Sequence, residues 1–467
     1  MAEFDIAVIG GGPAGYVGAI KAAQLGARTV LIEKDQVGGT CLNRGCIPTK
    51  ALLKTAKLVH EIAEAPKRGI KTGPAEVDMA AVIREKNRVV KKLTGGVASL
   101  LSANGVELIR GEGKLLGGAS GGFNISVTGQ SGIRAKKVLL AGGSQTAKLP
   151  IPGLDLPGVL GSTEILDLEE IPRRLVVIGG GVIGIEMAMI FRSFGSKITV
   201  IEAMPRILPF MDHETSALIH KILAARGVEI LSGVGLSKIE KPGDFKLILA
   251  DGKNIEADSV LVSIGRTGDL SCLGGEGIQT ERGKILVNDY METSVPGVFA
   301  PGDINGKKML AHAAFKMAET AAENAAAQLG LPGSVKKPDL DHVPSVVYCF
   351  PEAAAVGLTQ EEAEKEGAVA VGRFPLAANG KALSAGQGEG FVKILSDQRY
   401  GKLLGVHMVG SGASEIINEA AALMAMEITV HELAEITHGH PTVSEALMEA
   451  AADCLGKCIH LPPKGKK

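Results

Sequence analysis

The chain has 467 residues, with 50 Lys and Arg against 51 Asp and Glu and an apolar fraction of 45%. Charges that nearly cancel, with the basic residues scattered, argue against a nucleic-acid or anionic-membrane partner, and no apolar run reaches the length of a membrane span. The 62 glycines and the absence of Trp describe a well-packed α/β protein with many tight turns, long enough for about three domains.

An apolar strand over residues 4–9 begins so near Met1 that it leaves no room for a signal or transit peptide, which predicts a cytoplasmic protein. It runs into Gly10-Gly11-Gly12-Pro13-Ala14-Gly15, then an Ala-rich helix over 16–25, then a strand over 29–32 that ends at Glu33. Such a G-x-G-x-x-G turn brings backbone N–H groups and a helix N-terminus against a pyrophosphate. Glu33, 18 residues after Gly15 (33 − 15), can accept from both ribose hydroxyls.

Residues 38–50 hold two of the six cysteines, Cys41 and Cys46, among Gly, Pro and small polar residues. In a regular helix residues so spaced lie about 8–9 Å apart at Cα, beyond the roughly 4.4–6.8 Å of a disulfide. Gly45 and Pro48 let the backbone depart from that helix, which opens the way to a strained, exchangeable disulfide. A structural staple and two buried free thiols are the other readings. Zinc lacks a second Cys or His pair nearby at ligand spacing. A cytosolic chain with few cysteines favours a catalytic pair.

Residues 77–103 read as a long helix and 117–122 as a glycine-rich loop inside a β excursion. A strand over 138–140 enters the turn Ala141-Gly142-Gly143-Ser144, which closes a first domain near residue 150. The opening unit then recurs. A strand over 174–178 meets Gly179-Gly180-Gly181-Val182-Ile183-Gly184, a helix runs through 194, and a strand over 197–201 ends at Glu202, again 18 residues on (202 − 184). Two such units imply two different dinucleotides, or a duplication with one dead site; both copies keep the three glycines and the acid. Strands over 246–249 and 260–264 complete this domain, with Gly265-Arg266 at the strand end.

A strand over 298–303 ends on Asp303, an Ala-rich helix covers 311–329, and 332–338 reads as a linker. From 343 onward, short strands over 345–349, 391–395 and 403–408 alternate with helices, an α+β pattern. His438-Gly439-His440-Pro441-Thr442-Val443-Ser444-Glu445 opens a helix reaching 454. His440 could be a surface or capping residue, an H-x-H metal ligand with His438, or a base. Cys454 reads as a helix-face residue, Cys458 as the start of a last strand, and 462–467 as a disordered tail.

Taken in order over essentially the whole length, residues 10–15, 38–50, 179–186, 300–304, 309–312 and 440–445 resemble the class I pyridine nucleotide–disulfide oxidoreductases, and among them the dihydrolipoamide dehydrogenases. The resemblance implies an α/β chain with two Rossmann-like domains and an α+β C-terminal dimerisation domain. They would be an FAD-binding domain at 1–150, an NAD-binding domain at 151–270, a central domain completing the FAD site at 271–340, and the dimerisation domain at 341–467. The implied reaction is oxidation of protein-bound dihydrolipoyl groups with NAD+ through a Cys41–Cys46 redox disulfide and FAD. The partners would be a second copy of the chain and a lipoyl-bearing acyltransferase or carrier protein of a 2-oxoacid dehydrogenase or glycine-cleavage system. A reductase of another disulfide or of mercuric ion, and a non-catalytic scaffold, are the alternatives.

By the same resemblance Cys41 exchanges with the dithiol substrate and Cys46 lies against the flavin as a charge-transfer thiolate. His440 is the base, since only a thiolate attacks a disulfide, and Glu445 orients its ring. Each site would take His440 from the partner subunit. FAD contacts fall to Gly10, Gly12, Pro13, Ala14, Gly15, Glu33, Lys34, Gly39, Thr40, Gly113, Gly143 and Ser144, with Asp303 on the ribityl chain and Met309, Leu310, Ala311 and His312 along the pyrimidine edge. Lys50 and Glu186 form an ion pair beside the ring. The nicotinamide dinucleotide falls to Gly179, Gly181, Val182, Ile183, Gly184, Glu202, Gly265 and Arg266. Glu202 favours NAD over NADP, and Pro205 makes Arg206 a turn residue and not a phosphate reader. Cys272 and Cys349 read as buried small hydrophobes. Departures from the family pattern are Arg44 where Val is common, Gly142 where Thr is commoner, and Pro301 before Gly302-Asp303.

Overall fold

The structure is a computed structural model that describes residues 2–463 apart from 120 and 276. Most of the expected C-terminal tail, residues 464–467, therefore lies outside the described residues. Two compact units emerge: Met1–Ala51 with Ala80–Leu149 and Gly265–Leu340, and Leu52–Met79 with Pro150–Ile264 and Asp341–Lys467.

The first unit is built on a seven-stranded sheet. Strands Glu107–Arg110, Thr29–Glu33, Ala2–Ile9 and Ile133–Leu140 run parallel, with Val298–Phe299 also parallel on Ile133–Leu140. The hairpin Gly113–Ala119 and Gly122–Val127 adds antiparallel to the other side of Ile133–Leu140, as the expected β excursion. All five residues of Thr29–Glu33 are buried, the pattern of a parallel strand covered on both faces. Helix Pro13–Gln24, rich in Ala and Gly, packs on helix Ala311–Gln328, rich in Ala. A Cβ on Gly18 would sit 3.6 Å from the Ala318 Cβ, so small residues set this close approach.

Residues 332–338 form neither helix nor strand, yet they are pinned. Glu323 on the long helix accepts from Lys336 at 2.7 Å, Lys21 at 3.0 Å and the Ser334 hydroxyl at 2.9 Å. Asn324 brackets the Lys336 peptide, accepting its N–H at 2.9 Å and donating to its carbonyl at 3.0 Å. The strand expected over 298–303 is only Val298–Phe299. Gly302, at φ +88°, turns the chain, and Asp303 opens a 3-10 turn.

In the second unit a five-stranded parallel sheet runs Val228–Ser232, Lys197–Glu202, Arg174–Ile178, Ser259–Val262, Val159–Leu160. An antiparallel sheet of five follows in the order Ser345–Val347, Glu352–Gly357, Leu403–Gly410, Phe391–Asp397, Val369–Pro375. One face of that sheet is apolar, with Phe374, Val392, Ile394, Val406 and Met408 packed under helices Ala413–Ala425 and Glu445–Cys454. Its other face carries the cross-strand row Arg373, Lys393, His407. Lys393 is 2% exposed and meets Asp212 at 3.0 Å and Glu214 at 2.9 Å, both at the start of helix His213–Ala225. Burial pushes the neighbouring His407 imidazole down, which suits a neutral ring beside a lysine.

The strand expected at Cys458 is not there. Helix Glu445–Cys454 ends, Gly456 adopts φ +67°, and the chain folds back on its own helix. The Cys458 thiol donates to Glu449 at 3.0 Å, and His460 Nδ1 lies 2.5 Å from the other oxygen of that carboxylate. Burial and this carboxylate push the Cys458 thiol up to about 12.

Candidate active site

The cysteine segment is two helices and a break. Gly39–Arg44 forms one short helix and Cys46–Glu64 a longer one, with Gly45 at φ −147°, ψ −111° between them. A Cβ on Gly45 would lie 3.0 Å from the Thr40 carbonyl oxygen, so glycine allows this fold-back. Pro48 is the third residue of its helix, where a backbone N–H has no intrahelical acceptor to lose. Cys46 is the first residue of the 19-residue helix, where the helix dipole favours a thiolate. Cys41 hydrogen-bonds to Cys46; that bond first, and burial second, push the Cys41 thiol far above its ordinary value, against the pull of Lys50.

Asn43 steadies the short helix by donating to the carbonyls of Val37 at 3.2 Å and Gly39 at 2.9 Å. Arg44 lies between the cysteines in sequence, but its guanidinium pairs with Asp35, whose carbonyl also accepts from Arg110. Its charge is thereby committed to the loop that follows Glu33.

The two glycine turns match position by position. Gly10 and Gly179 take φ +101° and +104°, and a Cβ on either would strike a carbonyl oxygen, of Ala141 at 2.3 Å or Ser263 at 2.4 Å. Gly15 and Gly184 are as tight, 1.7 Å and 2.0 Å from the carbonyl oxygens of Gly10 and Gly179. By contrast Gly12 and Gly181, the N-caps of helices Pro13–Gln24 and Val182–Ser193, have no side-chain cap and leave room: a Cβ on Gly181 would meet nothing within 4 Å, and one on Gly12 would meet only the Gly39 Cα, at 3.8 Å. Each turn is thus closed where strand meets helix and open where the first N–H groups point, which fits a pyrophosphate. Glu33 accepts from Gly11 N–H at 2.5 Å and Asp35 N–H at 2.7 Å; Glu202 accepts from Gly180 N–H at 2.7 Å and Met204 N–H at 2.7 Å. Both acids are oriented before any ligand arrives. Val182 and Ile183 begin the second helix, as Pro13 and Ala14 begin the first.

Other expected contacts cluster in the first unit. Ser144 donates to Asp303 at 2.6 Å and accepts from Arg266 at 2.8 Å, and Arg266 also reaches the Ser144 carbonyl at 2.6 Å. Strand Arg266–Gly268 pairs with Ser144–Thr146, so Gly265 and Arg266 belong to the first unit. Gly143, at φ +73°, has nothing within 4 Å of a would-be Cβ. Gly142 is forced: a Cβ there would lie 2.7 Å from the Asp269 carbonyl and 3.3 Å from the Cys272 sulfur. Gly113 fits between Ile32 and Ile9, whose methyls lie 3.0 and 3.1 Å from its would-be Cβ. Lys34 pairs with Asp269 at 3.2 Å. Thr40 and Met309, Leu310 and Ala311 are half-buried, and His312 is exposed in the first turn of its helix. Lys50 belongs to this unit, while Glu186 is buried in the second and accepts the Tyr348 N–H at 3.0 Å.

The histidine pair lies in the second unit. His440 Nδ1 is 2.9 Å from Glu445 Oε1, and Glu445 Oε2 accepts the Thr442 N–H at 2.8 Å. Burial pushes the Glu445 carboxyl up, but the Thr442 N–H and His440 outweigh it and hold the group below its ordinary value. The His440 side chain is 78% exposed. His438 differs: it is 5% exposed, and its nitrogens face the Ile436 carbonyl and Glu419, each at 2.9 Å. Sequence reading missed Glu419, Thr442 and Tyr348, because each acts through a backbone group or across a long separation.

A family profile described as pyridine nucleotide-disulphide oxidoreductase matches residues 4–318, and its dimerisation domain matches 343–451. The chain is 44% identical to a dihydrolipoyl dehydrogenase of Thermus scotoductus, over 99% of both chains. It is 40% identical to one from Bacillus subtilis, over 98% of this chain and 99% of that one. Among solved structures LpdA from Mycobacterium tuberculosis superposes with a TM-score of 0.87 at 28% identity, covering 97% of this chain and 99% of the other. The chain therefore belongs to the pyridine nucleotide-disulphide oxidoreductases, flavoproteins that use FAD and NAD(H) with a redox-active cysteine pair and assemble as homodimers.

Proposed function

We propose that this protein oxidises dihydrolipoyl groups carried on a partner protein, with NAD+ as final acceptor. The observation that carries the reading is the Cys41–Cys46 contact across the Gly45 break, in a chain 44% identical over its length to a dihydrolipoyl dehydrogenase.

The proposed sequence starts from the Cys41–Cys46 disulfide. In the shared site that the resemblance implies, His440 of a second copy of the chain, held through Nδ1 by Glu445 of that copy, takes the proton of a substrate thiol at its Nε2. The substrate thiolate attacks Cys41 Sγ, the Cys41–Cys46 bond breaks, and Cys46 leaves as a thiolate at its helix N-terminus. The second substrate sulfur attacks the substrate sulfur of the mixed disulfide, the bond to Cys41 breaks, and the proton of this second thiol passes to the leaving Cys41, closing the oxidised substrate and releasing Cys41 as a thiol. Bound FAD supplies the two-electron carrier that links the reduced pair to NAD+. Gly12 and Glu33 would hold FAD, with Ser144 and Asp303 nearer its ribityl chain; Gly181 and Glu202 would hold NAD. The proposed partner is a lipoyl-bearing acyltransferase or carrier protein, and the proposed location is the cytoplasm. No helix among the described residues is long and apolar enough to cross a membrane.

The test is NADH formation from free dihydrolipoamide, set against NADPH oxidation by oxidised glutathione or Hg²⁺. Turnover only in the first assay supports the reading. Faster turnover in either of the others would replace it with a disulfide or mercuric reductase.

A further inference from the structure

Arg206 lies in the loop that closes over the second glycine turn. Glu202 is fixed at one end by the Gly180 and Met204 N–H groups. Leu208 N–H then donates back to the Gly180 carbonyl at 2.9 Å, and Ile207 packs where a Gly180 Cβ would be, at 2.8 Å. The loop from 204 to 208 therefore borders the acid expected to read the ribose, and Arg206 is its cation.

That cation is already engaged. Arg206 Nη1 and Nη2 each lie 2.7 Å from one oxygen of Glu361, a two-pronged pairing, with the Pro209 carbonyl 3.5 Å away. The pairing holds the Glu361 carboxyl below and the Arg206 guanidinium above their ordinary values. Glu361 is itself placed firmly, in the first turn of helix Gln360–Glu366. Thr359 and Glu362 close a capping box there, and Gln360 N–H donates to Asp212 at 3.1 Å. A guanidinium fork that grips a carboxylate with both prongs is the same fork that would grip a phosphate.

We propose that Glu361 is a specificity-determining residue for the dinucleotide, acting through Arg206: it holds the one cation of this loop away from the 2′-phosphate of an NADP-type ligand. The inference rests on reading the second glycine turn as the NAD site. Selection against NADP then has two layers, the Glu202 charge and a withheld Arg206. The pair is 28% and 46% exposed, so its release should change affinity by no more than about fivefold. The effect should show only where Glu202 no longer repels the phosphate.

The experiment measures calorimetric affinities of the holoenzyme for 2′,5′-ADP and 5′-AMP. The proteins are wild type, Glu202→Ala, Glu202→Ala/Glu361→Gln and Glu202→Ala/Glu361→Gln/Arg206→Gln. Removing Glu202 should raise 2′,5′-ADP affinity relative to 5′-AMP. Adding Glu361→Gln should raise it again, about two- to fivefold, with 5′-AMP unchanged, and Arg206→Gln should cancel that gain. Equal 2′,5′-ADP affinities with and without Glu361, while 5′-AMP still binds, would overturn the proposal alone, as would a gain that survives Arg206→Gln. If wild type bound neither probe, or Glu202→Ala left their ratio unchanged, the nucleotide-site reading would fall and this inference with it.

Discussion

His440 and Glu445 are joined Nδ1 to Oε1 at 2.9 Å, while the other carboxylate oxygen is tied to the Thr442 N–H at 2.8 Å. The carboxylate is fixed by backbone of the same turn, so it can fix the ring. Glu445→Gln keeps the shape but removes the charge that steadies a protonated imidazole. It should lower kcat for dihydrolipoamide by on the order of 100-fold, the scale of a general-base contribution. NADH oxidation by ferricyanide, which needs no substrate thiol deprotonated, should stay near wild type. An equal loss in both assays would mean that Glu445 serves the fold. The Glu445 carboxyl is held below its ordinary value, so its charge should persist through pH 5 in a titration followed by NMR.

Cys46 begins a 19-residue helix, whereas the Cys41 thiol is raised by its bond to Cys46 and by burial. The thiolate of the reduced pair should therefore reside on Cys46. Cys41→Ser should show long-wavelength absorbance beside the flavin band in the resting holoenzyme, and Cys46→Ser should show none even after anaerobic reduction. The opposite pattern would exchange the two roles.

Lys393 and Asp212 are 2% and 1% exposed and 3.0 Å apart. Asp212 also caps helix His213–Ala225 through the Glu214 N–H at 3.0 Å. Lys393→Met would strand a buried carboxylate and should destabilise by about 3–5 kcal/mol. Lys393→Met with Asp212→Asn should cost clearly less than the sum of the single changes, as measured by urea unfolding of the domain. Strict additivity would show that the two charges do not interact.

Glu323 is 8% exposed, and its carboxyl is lowered from 4.5 to about 2. Burial raises it, but Lys336, Lys21 and Ser334 together outweigh that. A depressed folded pKa gives stability that is fully present above the unfolded value and lost as pH falls through the folded one. The window is therefore roughly pH 4.5 down to 2, and the charge is worth about 3 kcal/mol above it. Glu323→Gln should lower the unfolding midpoint at pH 7, and its deficit should shrink steadily below pH 4.5. A deficit that stays constant into acid would remove the ionic explanation.

Much of this protein was legible in its sequence because the signals are local. Gly10–Gly12–Gly15 and Gly179–Gly181–Gly184 each sit between an apolar strand and a helix, and the backbone approaches of 1.7–2.4 Å at the tight glycines leave no alternative residue. The break at Gly45 between Cys41 and Cys46 follows from the same conformational freedom. Tertiary structure decided where long side chains went. Arg44 turned to Asp35, Arg206 to Glu361 155 residues away, and Lys393 to Asp212 181 residues away. It also folded Cys458 back onto Glu449 in place of a last strand. Glycine and proline act through their own backbone, so their positions speak for themselves. A charged side chain several bonds long takes whichever partner the fold brings within reach, and no local pattern encodes that partner.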